Sequence, residues 1–423
     1  MVYIVWSLPI TLVINVFSPL LMPMLEKLLD KNLWLQYLEE NLNNEFLSKK
    51  EKKKLSCFIK EEKYLPLALK IVDKNYSFSI PVKHVISKIS TNKKRVVYTY
   101  NESEMMIFKF ITSLLYEYDY LFTDNLYSFR KKNGVKNAIW KVKKHHNLNM
   151  MYGYKVDISN YFNSIDINIL LRNIKKDVDE DIYLLFKTLL QDDKVLFRNQ
   201  IIEEKKGVMA GVPIASFLAN YYIKDIDKYF YDEKIEYYRY ADDILILSNN
   251  YNSLLRIIEI LKTKITSYNL VINQDKEHLF MPGDKIDFLG FSFSNGEVDL
   301  STNILKKIKG KIKRSARGLR RYMLKNGKDE QSMIKAMIRK YNAKFYGRNT
   351  TELSWRYWFF PQITTPKSLK IIDNYFVQEL RYIATGKHNK RNYQVVPYKS
   401  LKELGYRSLV HEYYLFLNME NKV

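Results

Sequence analysis

Apolar positions recur along this chain with two different periods. Over residues 24–55, Leu28, Leu29, Leu33, Leu35, Leu38 and Leu42 recur among charged and amide residues at helical spacing. That spacing predicts an amphipathic helix closing in the basic run 49–54. Pro66 and Pro81 bracket a loop-rich section, after which 95–100 reads as a strand and 102–120 as a helix with Met106, Phe110, Leu114 and Tyr118 on one face. Residues 153–157 form a short strand ending at Asp157, 168–191 a helix and 195–203 a hairpin. A loop bearing Gly207, Gly211 and Pro213 feeds an apolar helix that runs to Tyr222. Tyr237, Tyr238 and Tyr240 precede Asp242 and Asp243, and Ile-Leu-Ile-Leu follows them, as two strands about a tight turn would read. A helix over 256–268 and a strand over 287–293 with Gly290 inside come next. Beyond Ser301 two helices flank Asn326-Gly327, and a Tyr-rich helical tail follows.

This order is an α+β arrangement, strands with helices packed on one side. Asp157 and Asp242 both fall at strand ends or turns, so neighbouring strands would join them across 85 positions. Three regions are expected: an N-terminal hydrophobic and helical extension over 1–64, a central region over 65–300 and a basic helical region over 301–423.

Composition narrows the partners. In 423 residues, 69 Lys and Arg face 46 Asp and Glu, a net charge of +23 that favours an extended polyanion, nucleic acid before an anionic membrane. Residues 301–350 hold 16 basic residues against Asp329 and Glu330, an excess of 14. Cys57 is the only cysteine, which excludes a disulfide framework and a Cys-based zinc finger and fits a reducing cytoplasm. Positions 2–25 carry no charge. Pro9, Pro19 and Pro23 argue against an unbroken spanning helix there. Three readings stay open: a buried or partner-covered segment, a start at Met22 or Met24, or a membrane anchor.

Carboxylates gathered at one sheet edge repel unless their pKa values rise or a divalent metal compensates them. In a chain this basic, metal is the expectation. Mg²⁺ combines one or two carboxylates with substrate phosphates, and two such ions serve in-line phosphoryl displacement, with Mn²⁺ as the alternative ion.

Tyr240-Ala-Asp-Asp243 resembles the Tyr-x-Asp-Asp motif of reverse transcriptases, and six matches in order over about 82–293 carry the resemblance. It implies a right-hand polymerase of fingers, palm and thumb, with an antiparallel palm sheet backed by helices. The implied activity is RNA-directed DNA synthesis by two-metal nucleotidyl transfer. Asp157-Ile-Ser-Asn-Tyr-Phe162 is similar to the first palm motif. The resemblance makes Asp157, Asp242 and Asp243 catalytic metal ligands together with the Ile158 backbone, and Phe162 the steric gate that excludes the ribose 2′-hydroxyl.

Gly211-Val-Pro-Ile-Ala-Ser-Phe-Leu-Ala-Asn220 is similar to the loop and helix that line the nucleotide. Ala210 and Gly211 stand where many relatives carry Gln-Gly. Either backbone groups there replace the glutamine, or nucleotide selection is unusual. Lys88 and Arg95 resemble the basic fingers residues on the triphosphate, with Lys93 and Lys94 as neighbours. Arg130, in Leu126-Tyr-Ser-Phe-Arg130, falls in a motif that contacts template. Lys276 corresponds to a lysine near the departing pyrophosphate and is either a proton donor or a surface lysine. Phe288, Leu289 and Gly290 look like the primer grip. The helices over 301–347 occupy the thumb position, where Lys309, Lys313, Arg317, Arg320 and Arg321 suit phosphate contacts.

Neither a Cys/His endonuclease module nor the Val-Thr-Gly triplet of retrons is found. The N-terminal helical extension and Tyr-rich tail most resemble the bacterial unknown-group reverse transcriptases, which include defence-associated and abortive-infection enzymes. That likeness implies cDNA made from dNTPs on a structured non-coding RNA in antiphage defence, with an oligomer or accessory protein as a further partner. The alternatives are a retron-like or group II intron-like enzyme, or template-independent or protein-primed synthesis, which 34 tyrosines leave open.

Overall fold

The computed structural model describes residues 22–44, 47–87, 94–347 and 354–420. Lys88, Lys93 and most of the uncharged N-terminal stretch lie outside the described residues. Among the described residues no helix is long and apolar enough to cross a membrane.

The single helix expected over 24–55 is a 3₁₀ turn followed by α1 (Lys31–Leu42) and α2 (Lys49–Lys60). Ser48 accepts from the Glu51 amide while the Glu51 carboxylate accepts from the Ser48 N–H, a reciprocal cap, so the basic run opens a helix instead of closing one. Asn43 and Asn44 lie between the two helices, and Asn side chains compete with the helical backbone for hydrogen bonds. The expected loop after Pro66 is α3 (Leu65–Val72), with the proline in the first turn, where a missing N–H costs nothing. Trp34 stacks on Phe110 of α4 (Glu102–Leu114) at 3.8 Å between ring centroids and on Tyr64 at 4.5 Å, joining the N-terminal helices to the next layer.

After α3 come β1 (Val82–Ser87) and β2 (Lys94–Thr99), and after α4 come α5 (Val135–Lys143) and β3 (Tyr152–Asp157). The chain continues through α6 (Tyr161–Ser164), α7 (Ile167–Ile174), α8 (Glu180–Gln191) and the hairpin β4 (Lys194–Phe197) and β5 (Gln200–Glu203). Next are α9 (Ala215–Tyr222), α10 (Lys224–Asp232), β6 (Glu236–Tyr240), β7 (Asp243–Ser248), α11 (Tyr251–Ser267) and β8 (His278–Phe280). The strands end with β9 (Ile286–Phe288), β10 (Phe291–Ser294) and β11 (Glu297–Leu300). The strand expected over 287–293 is therefore a hairpin, because Leu289 and Gly290 take φ of 49° and 89° and turn the chain.

One sheet runs β2-β1-β4-β5, a second β6-β7-β3-β8 and a third β11-β10-β9. In the second, antiparallel pairing sets Asp157 opposite Asp243 and so beside the turn of Asp242, the residue expected to join it. Helices on one side of this sheet were expected; both faces are covered. Ile244 and Ile246 belong to one core together with Leu254, Leu261 and Ile265 of α11. Leu245 and Leu247 belong to another, which holds Ala138, Ile139 and Val142 of α5 and extends into the C-terminal helices. Burial on both faces explains why Ile-Leu-Ile-Leu is an unbroken apolar run where a half-exposed strand would alternate.

The basic region forms α12 (Thr302–Asn326) and α13 (Glu330–Tyr346), followed by α14 (Trp355–Trp358) and α15 (Lys367–Thr385). Ile308, Ile312, Ala316 and Met323 make the buried stripe of α12, in one core with Leu369, Ile372, Phe376, Leu380 and Ile383 of α15. Gly327, at φ 56°, ends α12 in the left-handed cap that favours glycine.

Candidate active site

The turn that carries Asp242 and Asp243 is held from below. Ala241 adopts φ 56°, a left-handed conformation that costs a side-chain-bearing residue free energy. Its N–H donates to Ser128 Oγ at 2.8 Å and its carbonyl accepts from Arg239 Nη1 at 3.2 Å. Ser128 Oγ in turn reaches Asn220 Oδ1 at 2.9 Å, and Arg239 Nη2 donates to the Asn220 carbonyl at 3.2 Å. Arg239 forms a two-pronged ion pair with Asp227, Nε to Oδ1 at 2.6 Å and Nη2 to Oδ2, with both side chains essentially without solvent exposure. Burial alone would lower the Arg239 pKa; the facing Asp227 carboxylate overrides it and keeps the guanidinium charged. One network thus links the segments bearing Ser128, Asn220 and Asp242.

Above the turn, Ile158 N donates to the Asp242 carbonyl at 3.0 Å and Asn273 N to the Asp157 carbonyl at 2.8 Å. A cleft of about 520 Å³ opens here, lined among others by Lys94, Arg95, Asp157, Ile158, Phe162, Ala210, Asp242 and Lys276. A second cleft of about 490 Å³ adjoins it, sharing Asp157 and Lys276 and adding Lys155, Asp243, Phe288, Leu289 and Gly290. The residues of three distant motifs and the expected primer grip therefore meet around the carboxylates. Asp243 is pushed up to about 6, by burial first and then by Asp242 and Asp157, against the pull of Lys155. Asp242 is raised by burial and by Asp157.

Among the described residues no three His, Cys, Asp or Glu side chains converge as a finished metal cage. The donor set still fits a divalent cation completed by substrate oxygens. Asp243 Oδ1 is buried without a hydrogen-bond partner, and the Lys155 ammonium stands off at 3.5 Å. Lys276 Nζ lies 2.7 Å from Asp157 Oδ1, so in this structure its charge is directed at a carboxylate.

Phe162 sits on α6, and the loop before α9 fixes that helix. Val208 N donates to the Phe162 carbonyl at 2.9 Å. Gly207, at φ 54°, packs so closely that a Cβ would lie 2.3 Å from the same oxygen. Gly211, at φ 105°, leaves room for the Tyr98 carbonyl, which a Cβ would approach to 2.9 Å. Ala210 carries no side-chain amide, but Asn163 Oδ1 accepts from the Ala210 N–H at 3.1 Å and its Nδ2 donates to the Val96 carbonyl at 3.3 Å.

Two expected nucleic-acid contacts are committed elsewhere. Arg130 pairs with Asp119, Nε to Oδ1 and Nη2 to Oδ2 both at 2.8 Å, and its side chain is 7% exposed, so it braces its own loop. Arg320 Nη1 donates to the Ile383 and Ala384 carbonyls at 2.8 and 2.9 Å, satisfying the last turn of α15. Lys309 lies over the Tyr375 ring at 5.4 Å, while Lys313, Arg317 and Arg321 remain exposed on α12. Sequence reasoning missed Lys155 and Asn163. Lys155 could have been found, since it stands two residues before Asp157 on the same strand face.

Residues 83–293 match the family model described as reverse transcriptase (RNA-dependent DNA polymerase). The chain carries a reverse transcriptase domain. Its mixed helix-and-sheet layout is consistent with a right-hand polymerase, and the family that this domain matches is one of RNA-dependent DNA polymerases. No curated protein sequence matches the reverse transcriptase chain. Solved structures with a distant likeness include apo telomerase from Candida tropicalis, 12% identical, covering 80% of this chain and 69% of that one with a TM-score of 0.46. Telomerase from Candida albicans in complex with a TWJ fragment of telomeric RNA is 13% identical, with coverages of 82% and 68% and a TM-score of 0.43. C. tropicalis telomerase truncated from the C-terminal domain is also 13% identical, with a TM-score of 0.42; the match takes in 53% of this chain, which spans 55% of that one.

Proposed function

We propose that this reverse transcriptase copies a structured non-coding RNA into DNA, from dNTPs, as part of bacterial antiphage defence. The observation that carries the chemistry is the pairing of Asp157 with Asp243 across β3 and β7, beside Asp242, at the meeting of the two clefts. Asp157, Asp242 and Asp243, with the Ile158 backbone, would hold Mg²⁺. Bound divalent ions lower the pKa of an attacking hydroxyl and stabilise a leaving oxygen. Arg95 and Lys94, both exposed in the first cleft, orient the triphosphate, the guanidinium fork matching phosphate oxygens. Phe162 closes the floor against a 2′-hydroxyl, and the backbone around Ala210, braced by Asn163, takes the place of the absent glutamine. Lys276 hands its proton to the departing pyrophosphate once it releases Asp157. Leu289 and Gly290 hold the primer in the second cleft, and Lys313, Arg317 and Arg321 follow the duplex backbone. The defence role is supported by the extension and tail that accompany the catalytic core.

The test is sequencing of RNA and DNA co-purified with the wild type and with the Asp242→Ala, Asp243→Ala variant, with and without phage. A defined RNA in both and complementary DNA only in the wild type is the expected result. DNA of simple composition without matching RNA refutes templated copying, and full phage protection by the variant refutes the catalytic role in defence.

A further inference from the structure

From Asn125 to Val156 the chain holds eight Lys and Arg and not one Asp or Glu. The catalytic reading uses only part of this run. Seven of the eight lie between Arg130 and Lys144, around α5. Trp140 on that helix is 50% exposed, although Trp is usually well buried. Lys136, Trp140 and Lys144 follow one another at i, i+4 and i+8 and so share a face, with the Lys144 ammonium 3.7 Å from the Trp140 ring centroid. That face borders a groove of about 570 Å³ whose walls also include Asn133, Asn137 and, from the C-terminal region, Gln362. Aromatic face, ammonium groups and side-chain amides are the three kinds of group that take up an unpaired base and its phosphates.

The groove connects to the active cleft through a short stretch of chain. Phe129 lies 6.1 Å from Phe162 and 6.2 Å from Tyr240, centroid to centroid. Asn133 follows four residues later, at most about 14 Å of extended chain. A strand in the active cleft therefore has a largely cationic path to Trp140, with Asp124 the one carboxylate among the residues that line the groove.

We propose that this groove is a binding site for single-stranded nucleic acid, in which an unpaired base stacks on Trp140 while Lys136, Lys141 and Lys144 hold the adjoining phosphates. The inference rests on the RNA-copying function proposed above and names where the unpaired part of the template is held outside the active cleft.

Full-length protein is titrated by fluorescence anisotropy, at one salt concentration, with a blunt RNA–DNA duplex and with the same duplex carrying a short oligo(U) overhang. A stacked base contributes about 1–3 kcal/mol on Ala substitution, so Trp140→Ala should weaken binding of the overhang form at least about fivefold. Blunt-duplex affinity should stay within about twofold, and Trp140→Phe, which keeps a ring, should stay near wild type. Equal loss on both substrates, no loss on either, or Trp140→Phe behaving as Trp140→Ala overturns the site. So does displacement of the overhang form by polyglutamate as readily as by an oligonucleotide of equal charge, since the groove would then serve an acidic protein. Should Trp140→Ala fail to fold, Lys136→Glu with Lys144→Glu, both at exposed positions, makes the same comparison. Primer extension by the wild type is scored separately. A wild type that extends no primer yet shows selective overhang loss on Trp140→Ala would sink the proposed function and leave the groove standing.

Discussion

Replacing Arg239 with Met tests whether the buried network beneath the aspartate turn is needed for stability, for catalysis or for both. The substitution leaves Asp227, 1% exposed, without its guanidinium. Stranding one member of a buried pair costs about 3–5 kcal/mol, a large share of the roughly 5–15 kcal/mol that keeps a domain folded. Arg239→Met with Asp227→Leu removes the stranded charge. What remains is the Tyr237 hydroxyl, which donates to Asp227 Oδ1 at 3.0 Å, and the carbonyls of Ala241 and Asn220, which accept from Arg239. Each buried group left without a partner costs about 1–3 kcal/mol, and these three are not additive with the ion pair. The double variant should therefore regain at least about 1 kcal/mol over the single one in urea unfolding at pH 7. Primer extension should stay depressed in both, about tenfold or more, because in each the Ala241 carbonyl has lost its donor and the left-handed turn its brace. Equal destabilisation of single and double variants would refute the charge argument, and full activity in the double variant would refute the bracing argument.

Phe162→Ala should lower the preference for dNTPs over NTPs in kcat/KM at least about tenfold, measured by single-nucleotide incorporation; unchanged sugar discrimination removes the gate. Gly207→Ala forces a Cβ to within 2.3 Å of the Phe162 carbonyl at a positive φ. It should cost at least the roughly 1–3 kcal/mol of a strained backbone site and shift sugar selection as α6 moves, read by thermal melting alongside incorporation. Glu277 is held below the usual carboxylate range chiefly by Lys262, with the Tyr154 hydroxyl adding to that pull against the opposing effect of burial. Because its folded pKa is depressed, its stabilisation is complete above about pH 4.5 and is lost as pH falls through the folded value. Glu277→Gln should lower the urea midpoint at pH 7 and converge with the wild type at lower pH; a constant gap at every pH would show that charge is not involved. Lys313→Gln with Arg317→Gln should reduce the salt slope of duplex binding by about two in log–log form, and an unchanged slope removes α12 from the phosphate path.

Much of the site was legible because the chemistry fixes both residue type and place. Asp157 ends a short strand and Asp242 stands at a turn between two, and strands of one sheet readily bring such ends side by side. The ends of helices were less legible. A single amphipathic stripe over 24–55 hides two helices because the break is set by a local cap at Ser48 and Glu51, which leaves the apolar spacing nearly intact. The hairpin at Leu289 and Gly290 was read as a strand because Phe288, Phe291 and Phe293 keep strand composition on either side of the turn. Arg130 and Arg320 show a further limit: a guanidinium reads alike whether it faces phosphate or a helix end, and only the fold brings Asp119 or the end of α15 to it. Asn163 was invisible for the same reason, since both its partners lie in other segments.

Strand β7 contributes Ile244 and Ile246 to one core and Leu245 and Leu247 to the other, so it is a shared wall between the two halves of the molecule. The C-terminal helices are then not an attachment that can be exchanged between relatives at a linker near residue 300. A graft would have to match Leu245, Leu247, Phe288 and Phe291 as well as the sequence of the helices themselves, and a chain cut there would present an open apolar face behind its own aspartates. Specialisation of the tail is thereby tied to the strand that carries Asp243.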